Sequence, residues 1–152
     1  MTVEDRLREL GIELPPVATP VASYVPVVVA GGLAFVAGQV PLEDGQPMAT
    51  GRLGDDLTTD EGAFWARRCA LQVLAALRAE LGSLDRISRI AKVTVWVASS
   101  DSFTEQPKVA NGASDLLVEV FGDPGKHARA AVAAPVLPLN APVEVELIAE
   151  VG

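Results

Sequence analysis

The stretch from Thr59 to Leu81 limits what this chain can become more than any other. Trp65, Cys69, Val73, Leu77 and Leu81 recur at every fourth position, and Ala66, Ala70 and Leu74 widen the stripe. Only an α-helix gathers such positions on one side. Arg67, Arg68, Arg78 and Glu80 fall largely outside it. Thr59 is placed to cap the start, acidic residues fill the first turn, and Gly82 is a natural stop. An apolar side this long needs a broad apolar partner, and Ile90 to Val97 offers one. There Ala91, Val93, Val95 and Val97 alternate with Ile90, Lys92, Thr94 and Trp96. The first set is uniformly apolar and is predicted to face the helices from a strand.

Other segments fill in around this pair. Thr104 to Phe121 reads as a second helix, with Pro107 tolerated only in its first turn and Val109, Ala113, Leu116 and Val120 buried. Val27 to Val29 and Leu33 to Val40 read as strands joined by a Gly31-Gly32 turn. Gly38 inside the second strand signals a bulge or a close approach by another group. Ala128 to Val136 and Val143 to Glu150 are the last two strands, with Glu144 and Glu146 on one face and Val143, Val145 and Leu147 on the other. Val3 to Leu10 forms a short helix capped by Thr2, with Leu7 and Leu10 toward the body. Leu14 to Val21 carries three prolines and reads as an extended tether. The order β-β-α-β-α-β-β predicts a two-layer α+β domain. Residues 1–152 read as a single domain with a helical, proline-rich extension at 1–22. Helices can cover only one face of such a sheet. The small apolar residues Ala37, Ala130 and Val132 on the other face favour hiding it in an assembly.

Charge and composition exclude several functions. The formal net charge is −8, from 12 basic and 20 acidic residues, which repels phosphate backbones and argues against nucleic acid as a partner. One cysteine and one histidine exclude an internal disulfide framework and a His-rich metal cluster. There is no phosphate loop, dinucleotide fingerprint or nucleophile elbow, so neither a metal nor a cofactor is expected. The N-terminus lacks a basic leader before an apolar core, and the longest apolar stretch, Val25 to Gly38, is too short to span a bilayer. A soluble, cytoplasmic protein with no membrane partner is expected.

Few residues remain to carry chemistry. Cys69 lies on the apolar stripe and reads as inert packing. Arg129 begins an alanine-rich strand, where its charge must be solvated or paired. It is either a rim residue paired with a glutamate or a fork that grips a ligand carboxylate through two parallel hydrogen bonds. Glu144 is either a solvated side chain or the partner that holds and activates a water beside that ligand. His127 reads as a surface histidine.

Four stretches, spanning Tyr24 to the end, resemble the RidA family, also called the YjgF or YjgF/L-PSP family, whose members are often labelled endoribonucleases or translation inhibitors. These are Tyr24 with Leu33-Ala-Phe-Val-Ala-Gly-Gln-Val-Pro41, Val93-Thr-Val-Trp-Val97, Asn111, and Ala128-Arg129 through Leu137-Pro138 to Val143-Glu144-Val145-Glu146. The longer N-terminus and the stretch from Gln106 to Asp115 resemble a branch distinct from the best-studied deaminases. The resemblance implies a chorismate-mutase-like sandwich, with a mixed sheet and helices on one face. It also implies a homotrimer with three clefts between subunits. Family deaminases hydrolyse 2-imino or enamine acids to 2-keto acids and ammonia without metal or cofactor. By position, Arg129 would clamp the substrate carboxylate and Glu144 would position the water. Tyr24 and Asn111 would shape the cleft, while Gly38 and the backbone around Ala131 would contact the reacting end. Ala37, Ala130 and Ala131 stand where many members carry serine, serine or threonine, and cysteine. Losing those polar partners bears on substrate and rate. The alternatives are binding or sensing of small carboxylates without turnover and, more remotely, RNA cleavage.

Overall fold

The computed structural model describes residues 1–17, 20 and 22–152. The proposed tether at Ala18, Thr19 and Val21 lies outside the described residues. A helix, α1 (Val3–Leu10), precedes strands β1 (Val27–Ala30) and β2 (Leu33–Gln39) and a small hairpin, β3 (Leu42–Glu43) and β4 (Gln46–Pro47). Helix α2 (Thr59–Leu81), strand β5 (Ile87–Ala98), helix α3 (Gln106–Phe121) and strands β6 (Ala128–Ala134) and β7 (Val143–Val151) complete the chain. Five strands form one mixed sheet in the order β1-β2-β7-β5-β6, in which only the β5–β6 pair is parallel.

Local chemistry explains the element ends. Gly31 and Gly32 have φ of 59° and 76°, the left-handed pair that a two-residue hairpin between β1 and β2 requires. Helix α2 is capped by Thr58, one residue before the expected Thr59. The Thr58 hydroxyl accepts the Glu61 N–H at 3.2 Å, and Glu61 returns the bond to the Thr58 N–H at 3.1 Å. This box needs a carboxylate three residues after the cap, and from Thr59 that position is Gly62. Thr59 instead donates its hydroxyl hydrogen to Glu105, just ahead of α3, at 2.8 Å. Helix α3 starts at Gln106, not Thr104. Pro107 thus falls within the first two helical positions, where its missing N–H costs no helical bond.

The helices cover one face of the sheet. Val93, Val95 and Val97 of β5, and Val143, Val145 and Leu147 of β7, meet Val73, Leu74 and Leu77 of α2 and Leu116 and Leu117 of α3 in one buried cluster. The expected inward position of Ala91 is corrected: it is exposed, and Ile90 is fully buried. The β5–β7 ladder slips between Ile90 and Lys92, and this bulge turns the alternation over by one residue. On the other face, cross-strand partners form rows: Glu144, Trp96 and Val132; Glu146, Thr94 and Ala130; Lys92, Ile148, Phe35 and Val28. Val28, Phe35, Trp96 and Val132 are exposed there.

Candidate functional site

Two clusters of polar groups form, one on each side of the sheet. The first surrounds Glu144. The β2–β7 ladder loses register between Val36 and Gln39, as a bulge at Gly38 predicts. The gap that Gly38 leaves is filled by the Glu144 carboxylate. A methyl group built on Gly38 would collide with Glu144 Oε2 and lie 2.9 Å from its Cδ. The buried Gln72 side chain fixes the end of β2 against α2. Its amide donates to the Val40 carbonyl at 2.8 Å and to Gln39 Oε1 at 3.2 Å, and accepts the Leu42 N–H at 3.0 Å.

Tyr24, Gly38, Gln39, Pro138, Leu139 and Glu144 share a cleft of about 410 Å³. Leu139 forms part of its lip with a left-handed φ of 59°, which a bulky residue seldom adopts. Burial pushes the Glu144 carboxyl above its ordinary range, and the like charge of Glu146 adds to the effect. Glu146 itself accepts the Trp96 indole N–H at 3.0 Å.

The second cluster surrounds Arg129 at the β6 edge. Arg129 pairs in register with the inward Val93, so its side chain leaves on the helix side of the sheet. It meets α3 there. Its Nη1 donates to Asn111 Oδ1 at 2.8 Å and to Ser114 Oγ at 3.2 Å. Asn111 and Ser114 are three residues apart and share one helix face. Ser114 Oγ also lies 2.9 Å from His127 Nε2, and His127 Nδ1 lies 2.6 Å from the Gly125 carbonyl oxygen. His127 is therefore half-buried and bonded at both ring nitrogens, and the expectation of a surface histidine is corrected. Its burial holds the ring below the ordinary histidine range. The Gly125 bond opposes that shift and the Arg129 charge reinforces it.

One chain does not bring the expected site together. Glu144 lies on the open face in the row of Trp96 and Val132, whereas Arg129 leaves on the covered face. Strand β5 separates their strands by about 10 Å across the ladder. Within one chain Arg129 and Glu144 therefore face opposite sides of the sheet. Tyr24 and Gly38 belong with Glu144, and Asn111 with Arg129. Ala131 pairs in register with the inward Val95 and so shares the covered face with Arg129, on β6, whose outer edge has no strand partner among the described residues. Ser114 and His127 went unassigned in the sequence, although the three-residue spacing of Asn111 and Ser114 was visible there. Cys69 is fully buried, its thiol facing the Val143 carbonyl, and burial pushes its pKa far up. That suits packing and not reactivity.

Helices on one side of a mixed sheet, with a carboxylate cluster on its open face and a guanidinium cluster on its covered face, define an α+β protein. The chain belongs to the family described as "YjgF/chorismate_mutase-like, putative endoribonuclease", whose pattern it matches over residues 4–151. It is 49% identical to Protein TCP17 of Trypanosoma cruzi over 151 residues, covering 99% of this chain and 94% of that one. The crystal structure of a "putative endoribonuclease" from Shewanella oneidensis superposes with a TM-score of 0.94 at 38% identity, covering 99% of this chain and all of that one. Escherichia coli TdcF, solved with bound serine, shares the fold at a TM-score of 0.61 and 24% identity, covering 90% and 93%.

Proposed function

We propose that the protein hydrolyses 2-imino or enamine acids to 2-keto acids and ammonia, in clefts between copies of the chain in a homotrimer. The observation that carries this reading is the placement of Arg129 and Glu144 on opposite faces of one sheet. A cleft that needs both must take the arginine from one copy and the glutamate from its neighbour. The exposed Phe35, Trp96 and Val132 on the open face are the apolar surface that such an assembly would bury.

Arg129 supplies the anchor. Both Nη1 hydrogens are directed to α3, and no group among the described residues reaches Nε or Nη2. That edge fits a carboxylate with two parallel bonds. Glu144 supplies the base. Its raised pKa brings its proton affinity closer to that needed at neutral pH. A water beside it attacks the imine carbon and gives its proton to the carboxylate. The resulting carbinolamine takes that proton back on nitrogen, the C–N bond breaks and ammonia leaves, and the hydroxyl proton passes to the freed Glu144 carboxylate as the keto group forms. A protonated imine is already electrophilic, so orientation is the main requirement.

The test is 2-keto acid release from freshly generated 2-iminopropionate. Arg129→Ala should lower kcat/KM by about 100-fold, the scale of losing a doubly bonded anchor. Light scattering on the same samples should give the mass of three 15.9 kDa chains. Ala37, Ala130 and Ala131 favour a second reading, in which the same anchor binds 2-keto acids without turnover. Carboxylate binding that needs Arg129, with no acceleration of hydrolysis, would select it. RNA cleavage is the weakest reading, because the net charge of −8 opposes a polyanion.

A further inference from the structure

We propose that Ser114 and His127 are positioning residues for Arg129. They hold its guanidinium so that the Nε–Nη2 edge, and not the Nη1–Nη2 end, meets a ligand's carboxylate. The inference rests on the reading of Arg129 as a carboxylate anchor and assigns two residues that reading does not use.

The hydrogen-bond chain has one direction. A carbonyl oxygen can only accept, so His127 Nδ1 carries the ring proton and donates it to Gly125 at 2.6 Å. In the neutral ring Nε2 is then an acceptor, and the Ser114 hydroxyl donates to it at 2.9 Å. With its own hydrogen committed, Ser114 Oγ turns lone pairs to Arg129 Nη1 at 3.2 Å. Asn111 Oδ1 takes the other Nη1 hydrogen at 2.8 Å. Two acceptors on one nitrogen fix the plane of the guanidinium, which one acceptor would leave free to swing. The start of the chain is fixed as well. Gly125 is buried against α3, and a side chain there would lie 2.7 Å from the Leu117 carbonyl carbon. The turn that carries its oxygen thus packs directly on the helix that carries Ser114.

The surroundings keep the ring neutral. Just ahead of β6, His127 faces the Arg129 charge. From β5, Arg89 reaches the carbonyl of the adjacent Lys126 at 3.4 Å. Helix α3 meets the ring through the neutral Ser114, while Asp123 of the turn is paired with Lys126 at 3.1 Å. A second positive charge at the ring is disfavoured by burial and by the Arg129 charge. Preorganising the anchor spares the ligand the cost of ordering a long side chain on binding.

The experiment measures the affinity of 2-oxobutanoate by titration calorimetry for the full chain and four variants, with melting temperatures alongside. Ser114→Ala and His127→Ala should each weaken binding about five- to tenfold, the scale of one lost hydrogen bond, with melting little changed. His127→Gln places an amide oxygen near the Nε2 position and should recover most of that loss. A merely structural role would not predict this recovery. Wild-type affinity in Ser114→Ala and His127→Ala, with binding still lost in Arg129→Ala, overturns the positioning role and leaves the anchor standing. Undiminished binding in Arg129→Ala sinks the anchor and this inference together. Failure of His127→Gln to improve on His127→Ala also overturns the directional chain.

Discussion

Glu144 illustrates how a residue can be poised for chemistry at a cost to the fold. Its folded pKa is raised from the ordinary 4.5, so between that value and the folded one the native chain holds more protons than the unfolded chain. Stability therefore falls as pH rises through that window. His127 has the opposite sign. Its folded pKa is lowered from 6.5, so its contribution is complete above about pH 6.5 and is lost as pH falls through the folded value. Glu144→Gln should accordingly raise the melting temperature at about pH 8 and make little difference near pH 4, where the wild-type carboxyl is already protonated. An equal gain at both pH values would argue against a buried charge as the cause. The side of the sheet that Glu144 takes was legible from the alternation of Val143, Val145 and Leu147 around it. The setting of His127 was not. It depends on a turn and a helix that meet only in three dimensions.

Among the elements, the contact between α2 and α3 is the closest fit. Gly112 faces the α2 backbone, and a methyl group there would lie 2.7 Å from the Ala63 carbonyl carbon and press still harder on its oxygen. Backbone cannot step aside as a side-chain tip can. Gly112→Ala should therefore cost about 3 kcal/mol, a fall of roughly 10 °C in Tm by thermal melting. Since α3 carries Asn111 and Ser114, the same shift should loosen Arg129. The helices were readable because their apolar stripes and end signals agree. Their first residues were less so. Whether Thr58 or Thr59 caps α2 turns on where Glu61 sits, and the start of α3 turns on what Pro107 can tolerate. The bulge at Ile90 was hidden, because Ala91 is as apolar as the positions that do face inward.

On the scale of the whole molecule, the order of the strands and the uncovered sheet face matter most. The mixed five-stranded sheet with helices on one face agrees with the fold expected from the sequence. The separation of Arg129 from Glu144 was not visible, because strand order, and not spacing along the chain, puts β5 between them. That separation has a genetic meaning. If each cleft borrows its arginine from one copy and its glutamate from the next, two inactive alleles can rescue one another. Arg129→Ala and Glu144→Gln chains, each inactive alone, should regain activity when co-expressed. In randomly mixed trimers about a quarter of the clefts would be wholly intact. Measured turnover in the purified mixture, compared with the two separate variants, reads this directly. A mixture as inactive as its parents would mean that the two residues never serve one ligand. Recovery would make the functional unit the junction between chains, so that an allele at this locus could be judged only beside the partner with which it assembles.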